Sequence, residues 1–159
     1  MPTLFRQATQ NDSPIVKEII DLSFPRFFRF FALHSLNSEG TVLVNEVDGR
    51  VVGFAKLIEF TVRAEKYGCV LWLAVHPSFR LKGFAAELVN AGTRYLKENG
   101  AKAVFASIQD NNVCSLGAFR KVGYVRVGFL GLWRMFAWHV FAFYREIWYF
   151  FSEVVVVYR

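Results

Sequence analysis

Leu71-Trp72-Leu73-Ala74-Val75-His76-Pro77-Ser78-Phe79-Arg80-Leu81-Lys82-Gly83-Phe84-Ala85 is the stretch on which the reading of this chain turns. Its apolar run stops at a proline, which cannot donate to a strand ladder, so a buried strand hands over to a loop. Gly83 then stands at the mouth of an amphipathic helix carrying Ala86, Leu88, Val89 and Leu96, which closes at Asn99-Gly100. Glycine allows backbone to approach a ligand closely, and the first N–H groups of a helix have no partner within it and favour an anion. Arg80 and Lys82 add positive charge beside that mouth. Successive N–H groups from Leu81 to Ala86 can wrap a pyrophosphate without any side-chain code. The competing reading is an ordinary strand-loop-helix connection. A dinucleotide fingerprint is excluded, because one glycine stands where three are needed and no acidic ribose-binding residue sits at the expected offset.

Outward from this stretch the elements fall into order. Residues 4–8 read as a first strand, and Asn11-Asp12-Ser13-Pro14 with Glu18 reads as the start of a helix reaching residue 23. After Pro25, the spacing of Phe24, Phe27, Phe28 and Phe31 predicts a second amphipathic helix to about residue 37. The β-branched runs 41–47 and 50–59 are joined by Asp48-Gly49, a two-residue hairpin signal. Residues 67–75 form another strand, 103–108 a strand, 112–122 a helix closed by Gly123, and 124–130 a strand. The order β-α-α-β-β-β-α-β-α-β, followed by an aromatic tail, predicts one domain, α/β in class (α+β) with a mixed sheet.

Two motifs here resemble the GNAT superfamily of N-acetyltransferases. The family's cofactor motif, Arg/Gln-x-x-Gly-x-Gly/Ala behind a strand ending in Val-x-Pro, is matched by Arg80, Gly83 and Ala85 behind Val75 and Pro77. Its second motif, an Asn opening a helix that ends in Gly-Phe/Tyr, is matched by Asn112, Gly123 and Tyr124. The resemblance covers about residues 4–130. It implies a mostly antiparallel mixed sheet with strands four and five splayed and about four flanking helices, residues 131–159 adding the last strand or strands and an aromatic extension. It also implies acetyl-CoA as donor, its pantetheine lying in the splay as if it were an added strand. On that pattern Leu73 and Val75 meet pantetheine, Arg80, Leu81, Lys82, Gly83, Phe84 and Ala85 meet pyrophosphate, and Asn112 with Ser115 meets the arm near the thioester.

The implied reaction is direct attack of a neutral primary amine on the thioester carbonyl, with the Val75 N–H polarising that carbonyl. A base must first take the amine's proton. The side chains that often serve are missing here. The family's acid Tyr falls at Phe119, the strand-five Glu of N-terminal acetylating members at Ser107, and the strand-four Glu of histone-type members at Cys69. Glu59, Glu65, His34 and Tyr67 are what remains, and no catalytic side chain is assigned. A CoA-binding sensor or scaffold without catalysis is the alternative that these gaps allow.

Composition bounds the partners. The chain has 159 residues and a net charge of +6, with no block of five or six like charges, so nucleic acid is not expected as a partner. Cys69 and Cys114 stand far apart with no CxxC or Cys/His pairing, which argues against a metal site. No signal peptide or spanning segment is read, and a cytoplasmic location is the expectation. Eleven of the 18 Phe lie in residues 24–31 and 129–151, and the second window also holds three of the four Trp. The resemblance implies that residues 24–31 and 133–151 line the acceptor side of the family's cleft. Being aromatic, Arg-bearing and nearly free of acids, they disfavour a polyamine and fit a peptide N-terminus or a hydrophobic or acidic small amine. The same aromatics are open to three uses: core, the interface of a homodimer, or a peripheral membrane surface.

Overall fold

The computed structural model describes residues 2–149 and 153–159. Its strands are β1 (Thr3–Gln7), β2 (Thr41–Val47), β3 (Arg50–Val62), β4 (Glu65–Val75), β5 (Val104–Gln109), β6 (Val125–Arg126) and β7 (Glu153–Tyr158). The helices are α1 (Ser13–Ser23), α2 (Arg26–Ser35), α3 (Phe84–Glu98), α4 (Val113–Val122), α5 (Phe129–Phe136) and α6 (Val140–Glu146). Pro14 sits in the first turn of α1, and Pro25 separates α1 from α2. Asp48 and Gly49 both take positive φ, 49° and 77°, which is what a tight hairpin between β2 and β3 demands of its two central residues.

The seven strands form one sheet in the order β1-β2-β3-β4-β5-β7-β6. Every neighbouring pair is antiparallel except β4 with β5. That parallel pair has only two rungs, Gly68 with Val104 and Cys69 with Phe105. Just beyond them Leu71 is an extra residue in β4, because Lys56 faces Trp72 while Leu57 faces Val70. A bulge of this kind bends its strand and increases the local twist, so β4 swings away from β5 and the expected splay opens.

Helices cover both faces. On one face α3 and α4 bury Leu88, Val89, Leu96 and Leu116 against Ala55, Leu57, Val104 and Val156. On the other, α1 packs Val16, Ile19 and Ile20 against Val44, Phe54 and Ala74. Also on that second face, α5 and α6 lay Leu132, Phe136, Val140, Phe143 and Ile147 on Tyr67, Phe105, Val155 and Val157. Alternation along β5 and β7 separates these sets, with Val104 and Val156 on one side and Phe105, Val155 and Val157 on the other.

The C-terminal third departs from expectation. In place of a strand over 124–130, β6 has two residues, and Gly128 caps α5 from Phe129 onward. The aromatic segment is two helices and a strand, so six helices flank the sheet instead of about four. Its apolar stripe is the domain's own core: Leu132, Phe136, Val140 and Phe143 are fully buried. Each such side chain contributes about 1.5–3 kcal/mol of burial. The opposite side leaves Phe129, Leu130, Trp138 and Phe141 exposed. Residues 150–152, the first two of which belong to the aromatic window of the sequence, lie outside the described residues. Among the described residues no helix is long and apolar enough to cross a membrane.

Candidate functional site

The splay between β4 and β5 is continuous with a cleft of about 620 Å³ that runs from the mouth of α3 to the aromatic side of the sheet. Backbone geometry makes its wall on β4. His76 N–H donates to the Val52 carbonyl at 2.7 Å, while Val75 stands opposite Gly53 and Leu73 opposite Ala55. Alternate residues of an antiparallel ladder turn their N–H and C=O groups to opposite sides. His76, Ala74 and Trp72 therefore serve β3, and Val75 and Leu73 turn their backbone groups into the gap. The Val75 carbonyl is met there by Arg80 Nε at 3.1 Å.

At the mouth of α3, Leu81 and Gly83 both take positive φ, 62° and 88°. Gly83 is the helix N-cap with no side-chain cap, and the first helical bond runs from Glu87 N–H to the Gly83 carbonyl. The N–H groups ahead of it have no helical acceptor, the partial positive charge expected of a helix start. A Cβ built on Gly83 would meet no atom within 4 Å, so the space over this turn is open. A backbone cradle at one end and strand groups turned into the gap at the other fit the pyrophosphate and amide arm of an acyl-CoA.

Of the sequence-assigned residues, Leu73, Val75 and Arg80 line the cleft, as do Leu81, Gly83, Phe84 and Ala85. Asn112 and Ser115 line it from α4, where the Asn112 side chain caps the helix by accepting the Ser115 N–H at 3.1 Å. Lys82 points elsewhere, its ammonium 5.3 Å from the centre of the Phe79 ring. Arg80 braces the loop, its second guanidinium contact being Ser23 Oγ at 3.0 Å.

The remaining acid–base candidates lie apart from the cleft lining. Glu59 pairs with Lys66 at 2.8 Å and Glu65 pairs with Lys102. Tyr67 packs among Phe60, Phe105 and Phe136, and burial raises its phenol above its ordinary value. His34 stacks on Phe30. Cys69 is fully buried, and desolvation pushes its thiol far up, so no thiolate forms there near neutral pH. Phe119 is buried edge-on to Tyr124, whose hydroxyl is bonded to Thr93 Oγ1 at 2.7 Å. Among the described residues no cluster of His, Cys, Asp and Glu could hold a metal ion.

The far end of the cleft is apolar. Phe24, Pro25 and Phe28 line it from α2 and its approach, Trp72 from β4, and Ile147 with Trp148 from the end of α6. Phe24 meets Trp72 edge-on at 5.4 Å. Trp148 holds a positive φ of 53° at the end of α6, where glycine is the ordinary choice. Among the described residues the lining contains one carboxylate, Glu153, which accepts a hydrogen bond from Ser107 Oγ at 2.5 Å. Sequence reasoning missed it because the aromatic window ends at residue 151, two positions short. The available signal was an acid opening the uninterrupted run Val154-Val155-Val156-Val157.

The model of the acetyltransferase (GNAT) family matches residues 7–124. The N-alpha-acetyltransferase of Sulfurisphaera tokodaii is 28% identical over 134 residues, covering 77% of this chain and 80% of that one. Among solved structures, Ard1 from Thermoplasma volcanium superposes with a TM-score of 0.68 at 20% identity, over 99% of this chain and 97% of that one. An acetyltransferase of Bacillus subtilis in complex with CoA gives 0.70 at 14% identity, over 98% and 97%.

Proposed function

The chain belongs to the acetyltransferase (GNAT) family and is an acetyltransferase, and on that premise we propose that it moves the acetyl group of acetyl-CoA onto the α-amine of a peptide whose first side chain is apolar. The observation that carries this reading is the cleft itself. One end presents backbone donors and no acidic side chain, which suits a polyanionic donor. The other end presents aromatic walls and, among the described residues, a single carboxylate, Glu153, which suits one ammonium flanked by hydrocarbon. A polyamine or aminoglycoside would need several carboxylates. Similarity to an N-alpha-acetyltransferase supports the same acceptor class.

In this arrangement the donor supplies an acyl thioester, whose carbonyl carbon is the electrophile. The N–H groups from Leu81 to Ala86 would hold the pyrophosphate. Leu73 and Val75 would pair with the amide arm along the open edge of β4, with Asn112 and Ser115 on its other side. The Val75 N–H, aimed into the gap, would donate to the carbonyl oxygen as negative charge develops on it. Phe28, Trp72 and Trp148 would hold the acceptor's first side chain and exclude water, so that the amine and carbonyl meet as if in one molecule.

The test is a panel of tetrapeptides differing in the first residue, with spermidine and glucosamine as small amines, followed by release of free CoA thiol. Leu, Met or Phe at the first position should give the highest kcat/KM. Binding of acetyl-CoA with no turnover on any member would instead support the sensor or scaffold reading.

A further inference from the structure

Resting on the transfer reading above, we propose that Glu153 is the general base of the reaction and that Ser107 positions it. Glu153 opens β7 opposite Gln109, and Ser107 lies two residues earlier on β5 opposite Val155. Period-two alternation puts Ser107 with Phe105, and Glu153 with Val155, on the face that α1, α5 and α6 cover. The hydroxyl donates diagonally across the two strands to Glu153 Oε2 at 2.5 Å. That bond fixes the rotation of a carboxylate held on a rigid strand, and both residues line the cleft.

The neighbourhood selects this group. Its companions in that part of the lining are Phe28, Trp72, Ile147 and Trp148, none of which can accept a proton at neutral pH. A base competent to accept a proton must reach the amine directly or through one water. Glu59, Glu65 and Glu146 stand outside the cleft lining. Glu153 is the carboxylate that the fold delivers to the acceptor end.

The bound ammonium gives one proton to the Glu153 carboxylate. The lone pair so freed forms the N–C bond while the C–S bond breaks and leaves its electron pair on sulfur. The nitrogen's second proton passes to that sulfur through water, giving the amide and the CoA thiol. Glu153 then releases its proton to solvent, and the net product is one proton per acetyl group transferred.

The experiment compares the wild-type chain with Glu153→Gln, using acetyl-CoA and a tetrapeptide with an N-terminal leucine. Wild-type kcat/KM should be flat from about pH 6 to about pH 8, because proton transfer from ammonium to carboxylate conserves the charge of the complex. Glu153→Gln should lower kcat/KM by about 10²–10⁴ at pH 7. Its residual rate should climb about tenfold per pH unit and level off above about pH 8, the range in which an α-amine becomes neutral. Calorimetric binding of the peptide to the CoA-loaded protein should weaken at least fivefold, while the melting-temperature shift caused by acetyl-CoA stays as in wild type. The double variant Ser107→Glu/Glu153→Ser, which moves the carboxylate across the same hydrogen bond, should recover at least tenfold of the loss. Activity of Glu153→Gln within threefold of wild type overturns the proposal, as does an acetyl-CoA shift lost together with activity, which would make Glu153 part of the donor site. A wild-type chain that binds acetyl-CoA but acetylates no amine defeats the transfer reading, and this proposal with it.

Discussion

Arg80 Nε donates to the carbonyl of Val75 across the four residues between them, at 3.1 Å. The bond ties the last residue of β4 to the turn that opens α3. It occupies the Val75 carbonyl and leaves the Val75 N–H, with the backbone groups of Leu73, turned toward a ligand. Strand edge and anion cradle are thereby held as one rigid unit.

Gly83→Glu tests that unit. The position has φ +88° and open space above it, so the side chain fits sterically but puts negative charge where the pyrophosphate would lie. Left-handed backbone costs a non-glycine residue about 1–2 kcal/mol, a modest loss of stability. Acetyl-CoA should raise the wild-type melting temperature and leave that of the variant unmoved, measured by scanning fluorimetry. An equal shift in both would remove the loop from the donor site.

Trp148→Gly separates strain from function. The left-handed backbone at the end of α6 favours glycine, and the indole lost in the exchange is half-buried in the cleft wall. Relief of strain and loss of packing oppose each other, so the melting temperature should change by only a few degrees. KM for a leucine-initial peptide should rise at least fivefold with KM for acetyl-CoA unchanged. An unchanged peptide KM would take Trp148 out of the acceptor wall.

Phe143→Ala tests whether the aromatic segment is core. Phe143 is fully buried against Phe60, Phe105 and Phe136 at centroid distances of 5.9, 4.7 and 4.7 Å. Truncation should cost about 3–5 kcal/mol by urea unfolding. Phe141→Ala, on the exposed side of the same helix, should cost about 0.5 kcal/mol or less.

Asp12 supplies an acid-sensitive element. Its carboxylate accepts from the Arg6 guanidinium at 2.7 and 3.0 Å and from Thr9 N–H at 2.7 Å, and the arginine is the main reason its pKa lies well below the ordinary 3.8. A carboxylate with a depressed folded-state pKa contributes stability that is present above the unfolded value and lost as pH falls through the folded one. Unfolding free energy should therefore drop as pH is lowered from about 4. Asp12→Asn should be about 1.5–3 kcal/mol less stable at pH 7 and show a shallower drop in that acid window.

The strand-loop-helix at residues 71–85 could be read directly because its signals are local: an apolar run, a proline, a glycine and a 3.6-residue stripe. The hairpin at Asp48-Gly49 and the caps at Asn112 and Gly123 were legible for the same reason. The bulge at Leu71 was not, since it exists only in the register between β3 and β4. Residues 124–130 misled because Val125 and Val127 alternate like a strand, whereas the glycine at 128 sets the boundary. In the tail, Leu132, Phe136, Val140, Phe143 and Ile147 follow a helical spacing that aromatic β-propensity obscured. Glu153 reaches the cleft through pairing with a strand more than forty residues away, a relationship no local pattern encodes.

The two-rung contact between β4 and β5 leaves a pair of inward edges in the middle of the sheet. An edge of this kind is a template for any extended chain. Donor occupancy would close it, giving the amides of Leu73 and Val75 protection from solvent exchange that the empty protein lacks.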